Sequence, residues 1–80
     1  MMEWQDHIEQ RPGVMLGKPV IKGTRITVEH ILDRMGAGWT ETQLLQSYPN
    51  LTTQGIRAAL AFAAKSLASD ETVFLVDQAG

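Results

Sequence analysis

ITVEHILDRMGAGWTETQLLQSYPNLTTQGI, residues 26 to 56, repeats one local pattern three times. An apolar residue precedes a threonine, and a second apolar residue follows after three intervening positions. The sets are Ile26-Thr27 with Ile31, Trp39-Thr40 with Leu44, and Leu51-Thr52 with Ile56. A threonine at a helix N-cap accepts a hydrogen bond from an unpaired amide of the first turn. The flanking apolar pair closes over that cap as a hydrophobic staple. Gln43, three residues after Thr40, completes a capping box at the second site. The pattern therefore predicts three helix starts. Three short helices in this order are the skeleton of a helix-turn-helix domain.

Working outward, the first helix is expected over about residues 28 to 35, with Val28, Ile31, Leu32 and Met35 on one face. Gly36-Ala37-Gly38 ends it, since glycine tolerates the left-handed conformation past a helix C-terminus. The second helix spans about 41 to 47 and buries Leu44 and Leu45. Pro49 cannot continue it, and residues 48 to 51 form the turn. The third helix is expected from Thr53 to about Ala68, with Ile56, Leu60, Ala63 and Leu67 as its core stripe.

Residues 3 to 27 lack helical periodicity. Pro12-Gly13 and Gly17-Lys18-Pro19 punctuate β-prone pieces such as Val20-Ile21-Lys22, and Gly23 supplies a turn. So small a sheet cannot stand alone. It must pack on the helices or pair with a second chain. The small core and the strand-like stretch from 14 to 26 favour a homodimer formed through that segment. The fold class is thus α+β, mainly α: short N-terminal strands, then three homeodomain-like helices. Residues 1–68 form the domain and 69–80 a tail.

The tail changes character. Thr72-Val73-Phe74-Leu75-Val76 is a β-prone run between the acids Asp70, Glu71 and Asp77. It either docks on the chain's own sheet or adds to a partner's sheet edge, with Val73, Phe74, Leu75 and Val76 as partner-binding residues.

Composition bounds the function. There are 80 residues, 44% apolar, with no cysteine, so disulfides and thiolate metal sites are excluded. The N-terminus is acidic where a signal peptide would be basic, and no apolar run approaches the ~20 residues of a membrane span. A cytoplasmic protein with no membrane contact is expected. The net charge is −2, but it is unevenly spread. All seven Lys and Arg lie between Arg11 and Lys65 against three acids, a surplus of four positive charges. The first ten residues and the last eleven each hold three acids. A basic body with acidic ends suits a polyanion-binding domain; charges scattered over a solvated surface are the alternative.

No catalytic arrangement emerges. Gly17-Lys18 and Gly23-Thr24 lack the order of a phosphate loop. His30 with Asp33 offers two metal ligands without a third, and the serines have no paired base. The chain is therefore expected not to be an enzyme, and to need no metal or cofactor.

In a helix-turn-helix the N-terminal residues of the second motif helix reach base edges in the major groove. Here those positions hold Thr53, Gln54 and Arg57. Gln suits adenine and Arg suits guanine, each through two hydrogen bonds. Thr52 and Thr53 are placed to touch phosphate, Gly55 to let the backbone approach DNA, and Lys65 to continue the Arg57 face. Lys22 and Arg25, with Lys18 and Arg11, are placed for phosphates beside the helix. The competing reading is an ordinary solvated face on a scaffold that binds no DNA.

The run Gly17-Lys18-Pro19-Val20-Ile21-Lys22-Gly23-Thr24-Arg25-Ile26-Thr27-Val28 resembles the signature of the bacterial domain-of-unknown-function 433 family. Gly38-Trp39-Thr40, residues 48 to 52 and Ile56-Arg57-Ala58-Ala59-Leu60 extend the resemblance over roughly residues 6 to 65. It implies a homeodomain-like helix-turn-helix with an N-terminal β segment. It also implies an antitoxin of VapB type that binds its own operator and neutralises a PIN-like ribonuclease toxin. No catalytic residues come with it. Within the signature, Gly23 is expected to turn the chain and Arg25 to bond nearby backbone carbonyls or acids.

Overall fold

Each of the three threonines caps a helix in the computed structural model, which describes residues 3–70. Thr27 Oγ1 accepts from the His30 N–H at 2.9 Å and opens α1, Val28–Gly36. Thr40 opens α2, Glu41–Ser47, with both halves of its capping box formed. Its Oγ1 takes the Gln43 N–H at 3.1 Å, while Gln43 Oε1 takes the Thr40 N–H at 2.8 Å. Thr52 Oγ1 accepts from the Gly55 N–H at 3.0 Å at the start of α3, Thr53–Asp70. The inner staple residues Ile31, Leu44 and Ile56 are all fully buried. Three local signals thus also place the three largest helical core side chains.

The N-terminal segment precedes these helices as two single-turn 3-10 helices, Trp4–Asp6 and Met15–Gly17, and two short strands, β1 (Ile8–Glu9) and β2 (Val20–Ile21). The strands pair antiparallel, Ile8 opposite Ile21 and Glu9 opposite Val20. On its other side β2 meets the entry to α1. Val20 bridges to Thr27, the Ile21 N–H donates to the Ile26 carbonyl, and the Val28 N–H donates to the Pro19 carbonyl. Both edges of β2 are therefore partnered within one chain. The shortage of strand partners expected from the sequence does not arise, and with it goes the argument for dimerisation through 14 to 26. The first part of that stretch is not a strand at all. Met15 and Leu16 adopt left-handed φ of 47° and 59°, and Gly17 follows at 81°.

The core gathers Ile8 and Ile21 from the strands, Val28 and Ile31 from α1, Leu44 from α2, Leu51 from the turn, and Ile56, Ala58 and Ala59 from α3. Trp4 closes one side, its ring edge-on to Phe62 with centroids 5.3 Å apart. The expected stripe of α3 needs correcting. Leu60 is 41% exposed and Leu67 71% exposed, whereas Gly55, Ala58 and Ala59 are buried. At Gly55 the close approach of Ile21 leaves no room for a side chain, and the helix is turned so that Leu60 and Leu67 face outward.

Tyr48 ties the turn between α2 and α3 to α1. Its hydroxyl lies 2.6 Å from His30 Nε2, and the two rings sit edge to face. Gly38, at φ 100°, reverses the chain between α1 and α2. No described helix is long and apolar enough to cross a membrane.

Candidate nucleic-acid interface

One close contact fixes how β2 meets α3. A Cβ on Gly55 would lie 3.2 Å from Ile21 Cγ2 and 3.3 Å from Thr52 Oγ1. Gly55 lets β2 press against the first turn of α3, so its role is internal packing; the expectation that it brings the backbone to DNA is corrected. Because β2 ends at Ile21, the turn formed by Lys22, Gly23, Thr24 and Arg25 emerges beside the start of α3.

The turn is rigidly built. Gly23 takes φ 79°, as the sequence predicts, and its N–H donates to Glu9 Oε2 at 2.9 Å. The Lys22 N–H donates to the His7 carbonyl at 2.8 Å. The Thr24 hydroxyl donates to the Ile21 carbonyl and accepts the Ile26 N–H, at 2.8 and 2.9 Å. With backbone and hydroxyl satisfied internally, Lys22 and Arg25 are left projecting into solvent. Arg25 does not bond carbonyls or acids as expected, and no ion pair reaches it or Lys22 among the described residues. Glu9 accepts the Gly23 amide and faces Arg11 at 3.8 Å.

At the start of α3, Thr52, Thr53, Gln54 and Arg57 are all exposed. Thr52 spends one hydroxyl lone pair on its cap. Arg57 lies with Nε 3.7 Å from Glu41 Oε2 of α2, its side chain 63% exposed. At such exposure an ion pair contributes ~0–1 kcal/mol, so a phosphate or guanine can displace it. Lys65 is exposed eight residues further along α3, about 12 Å up the helix. Lys18 pairs with Glu29 at 3.0 Å and is drawn toward α1.

Sequence reasoning missed Asn50 and Arg11 as neighbours of Arg25. The three line one concavity with Val14, Gly23 and Thr24, joining three segments distant in the chain. No local signal announces such a juxtaposition. His30, weighed above as a metal ligand, spends Nε2 on Tyr48, and no group of three or more metal-ligating side chains occurs among the described residues. The run expected to bind a partner, Val73, Phe74, Leu75 and Val76, lies outside the described residues.

The family model described as "Protein of unknown function (DUF433)" matches residues 8–63, which carry the strands, the turn at 22–25 and the first half of α3. The chain belongs to this family. A crystal structure of a DUF433 member protein from Anabaena variabilis superposes with a TM-score of 0.75 at 31% identity, covering 81% of this chain and 64% of that one. An uncharacterized protein, y4eO, of Sinorhizobium fredii is 31% identical over 56 residues, 70% of this chain. The chain spans only a quarter of that relative's length. Membership of the family thus fixes the architecture, with strands before three helices, and its description names no activity.

Proposed function

We propose that this DUF433 protein is a DNA-binding module whose α3 lies in the major groove. The observation that supports it is the exposure of Thr53, Gln54 and Arg57 on the first turns of α3, directly after the capping Thr52, with the exposed cations Lys22 and Arg25 on the turn that follows β2. Phosphate contacts fix register and base contacts specify sequence; the turn supplies the first and the helix start the second. The reading extends to an antitoxin that represses its own operon and occupies a PIN-like toxin through Val73 to Val76. That extension rests on the family resemblance and on the apolar tail flanked by acids. The module itself catalyses nothing in this reading.

The test is binding to the DNA upstream of the protein's own gene. Arg57→Ala is expected to cost ~1–3 kcal/mol at one base pair and to relax specificity there. Lys22→Ala is expected to weaken all sequences alike and flatten the salt dependence. Absence of any salt-sensitive binding, with or without a partner, replaces this reading with a protein-interaction scaffold. Deleting residues 70 to 80 is expected to abolish capture of a neighbouring PIN-like nuclease while sparing DNA binding.

A further inference from the structure

We infer that the concavity between Arg11, Arg25 and Asn50 seats one phosphate-class anion. It is an open recess of about 490 Å³, roomy enough for a phosphodiester with its sugars. Three donors converge on it from three places: Arg11 after β1, Arg25 after β2, and Asn50 in the turn before α3. Arg25 has no ion pair among the described residues, and the contact of Arg11 with Glu9 is long at 3.8 Å. Planar guanidinium groups with free donors match the oxygens of a phosphate. The Thr24 hydroxyl, satisfied in both senses, stiffens the wall and leaves recognition to the arginines. Glu9 limits the site from one side, but its Oε2 is already neutralised in part by the Gly23 N–H.

The other recesses offer less: a neighbouring one shares Arg11 but is otherwise lined by Gln10, Pro12, Leu16 and Gly17, with no second cation. One between α1 and α3 is walled by Val28, Leu32, Phe62 and Leu67 and suits apolar groups. Another sets Glu29 and Asp33 beside Lys18, which Glu29 already pairs. Phosphate can reach the seat as part of a nucleic acid backbone or as a free ion. The nucleic-acid source rests on the DNA reading above, whereas the seat itself does not.

Two measurements on the full chain separate these. In the first, affinity for a duplex from upstream of the gene is followed as salt is raised. The double variant Arg11→Gln, Arg25→Gln is expected to lose about 0.9 from the log–log slope, because both arginines share a single phosphate. In the second, inorganic phosphate is titrated against amide NMR signals. Shifts are expected at Gly23, Thr24, Arg25 and Asn50 and are expected to vanish in the double variant. An unchanged slope in a double variant that still binds DNA overturns the seat and leaves the DNA reading standing. Phosphate shifts without any DNA binding support the seat for a free anion and overturn the DNA reading. Neither DNA binding nor phosphate shifts overturns both.

Discussion

The two halves of α3 obey different rules. In the first seven residues Gly55, Ile56, Ala58 and Ala59 are buried, pressed by β2, α1 and the Leu51 staple. From Leu60 onward no described side chain is fully buried; Phe62 is half covered by Trp4, and Leu67 stands 71% exposed. Large apolar side chains are nevertheless more numerous in the second half, which holds Leu60, Phe62 and Leu67 against Ile56 in the first. Burial here follows from what approaches the helix. Where a strand comes within van der Waals reach of the helix backbone, only small side chains fit between, and larger ones must turn away.

The largest expected effect breaks the first half directly. Ile56→Ala removes a side chain of zero exposure at the centre of the core and is expected to cost ~2–5 kcal/mol. Against a total of ~5–15 kcal/mol, that is a substantial part of the folding free energy. Urea unfolding followed by circular dichroism measures it, and a loss below about 1 kcal/mol would mean that Ile56 is not the anchor of α3.

Gly55→Val sharpens the same contact. Replacing glycine inside a helix normally gains up to ~1 kcal/mol in conformational terms. Here even the Cβ would sit 3.2 Å from Ile21 Cγ2, and valine adds two methyls. Overpacking of ~1–3 kcal/mol is expected to outweigh the gain. The variant should be less stable than the parent, and the 22–25 amides should shift in NMR as β2 is pushed outward. A stabilised variant with unmoved amides would show that α3 and β2 are not in tight contact.

The starts of the helices were legible because a cap is a local device. Thr27, Thr40 and Thr52 each bond an amide three residues on, and no distant residue is needed to set that bond. The first two helices accordingly match their predicted spans to within a residue. The face of α3 was not legible, because Gly55 is met by Ile21 of a strand 34 residues earlier in the chain. Nor was Trp4, whose packing on Phe62 has no periodic neighbour to mark it. The candidate site divides likewise. Gln54 and Arg57 follow from their position after a cap, whereas Arg25 beside Asn50 depends on how the turn folds back.

Thr40→Ala tests the local device in isolation. Thr40 is exposed, and alanine removes the hydroxyl that accepts the Gln43 N–H while keeping the backbone N–H that Gln43 accepts. About 1 kcal/mol is expected, and Thr40→Ser should restore most of it. If serine fails to rescue, the loss is one of packing around Trp39, and the cap is not what fixes the start of α2.

Leu67→Ala is expected to do least, and it bears most on the exposed half of α3. At 71% exposure its truncation should change stability by no more than about 0.5 kcal/mol. Yet Leu67 borders the apolar recess with Leu32 and Phe62, a surface that water covers at some cost. A loss above about 1.5 kcal/mol would mean that something lies over this recess in solution, and two controls identify it. A loss that grows with protein concentration in the parent but not in the variant points to a second copy of the chain. A loss independent of concentration, and absent after residues 71 to 80 are deleted, points to the chain's own C-terminal segment. In either of these cases the contrast between the halves of α3 dissolves, because the second half is then a packed face as well. With the small effect expected, the contrast stands: the first half of the helix stabilises the fold and the second extends beyond it.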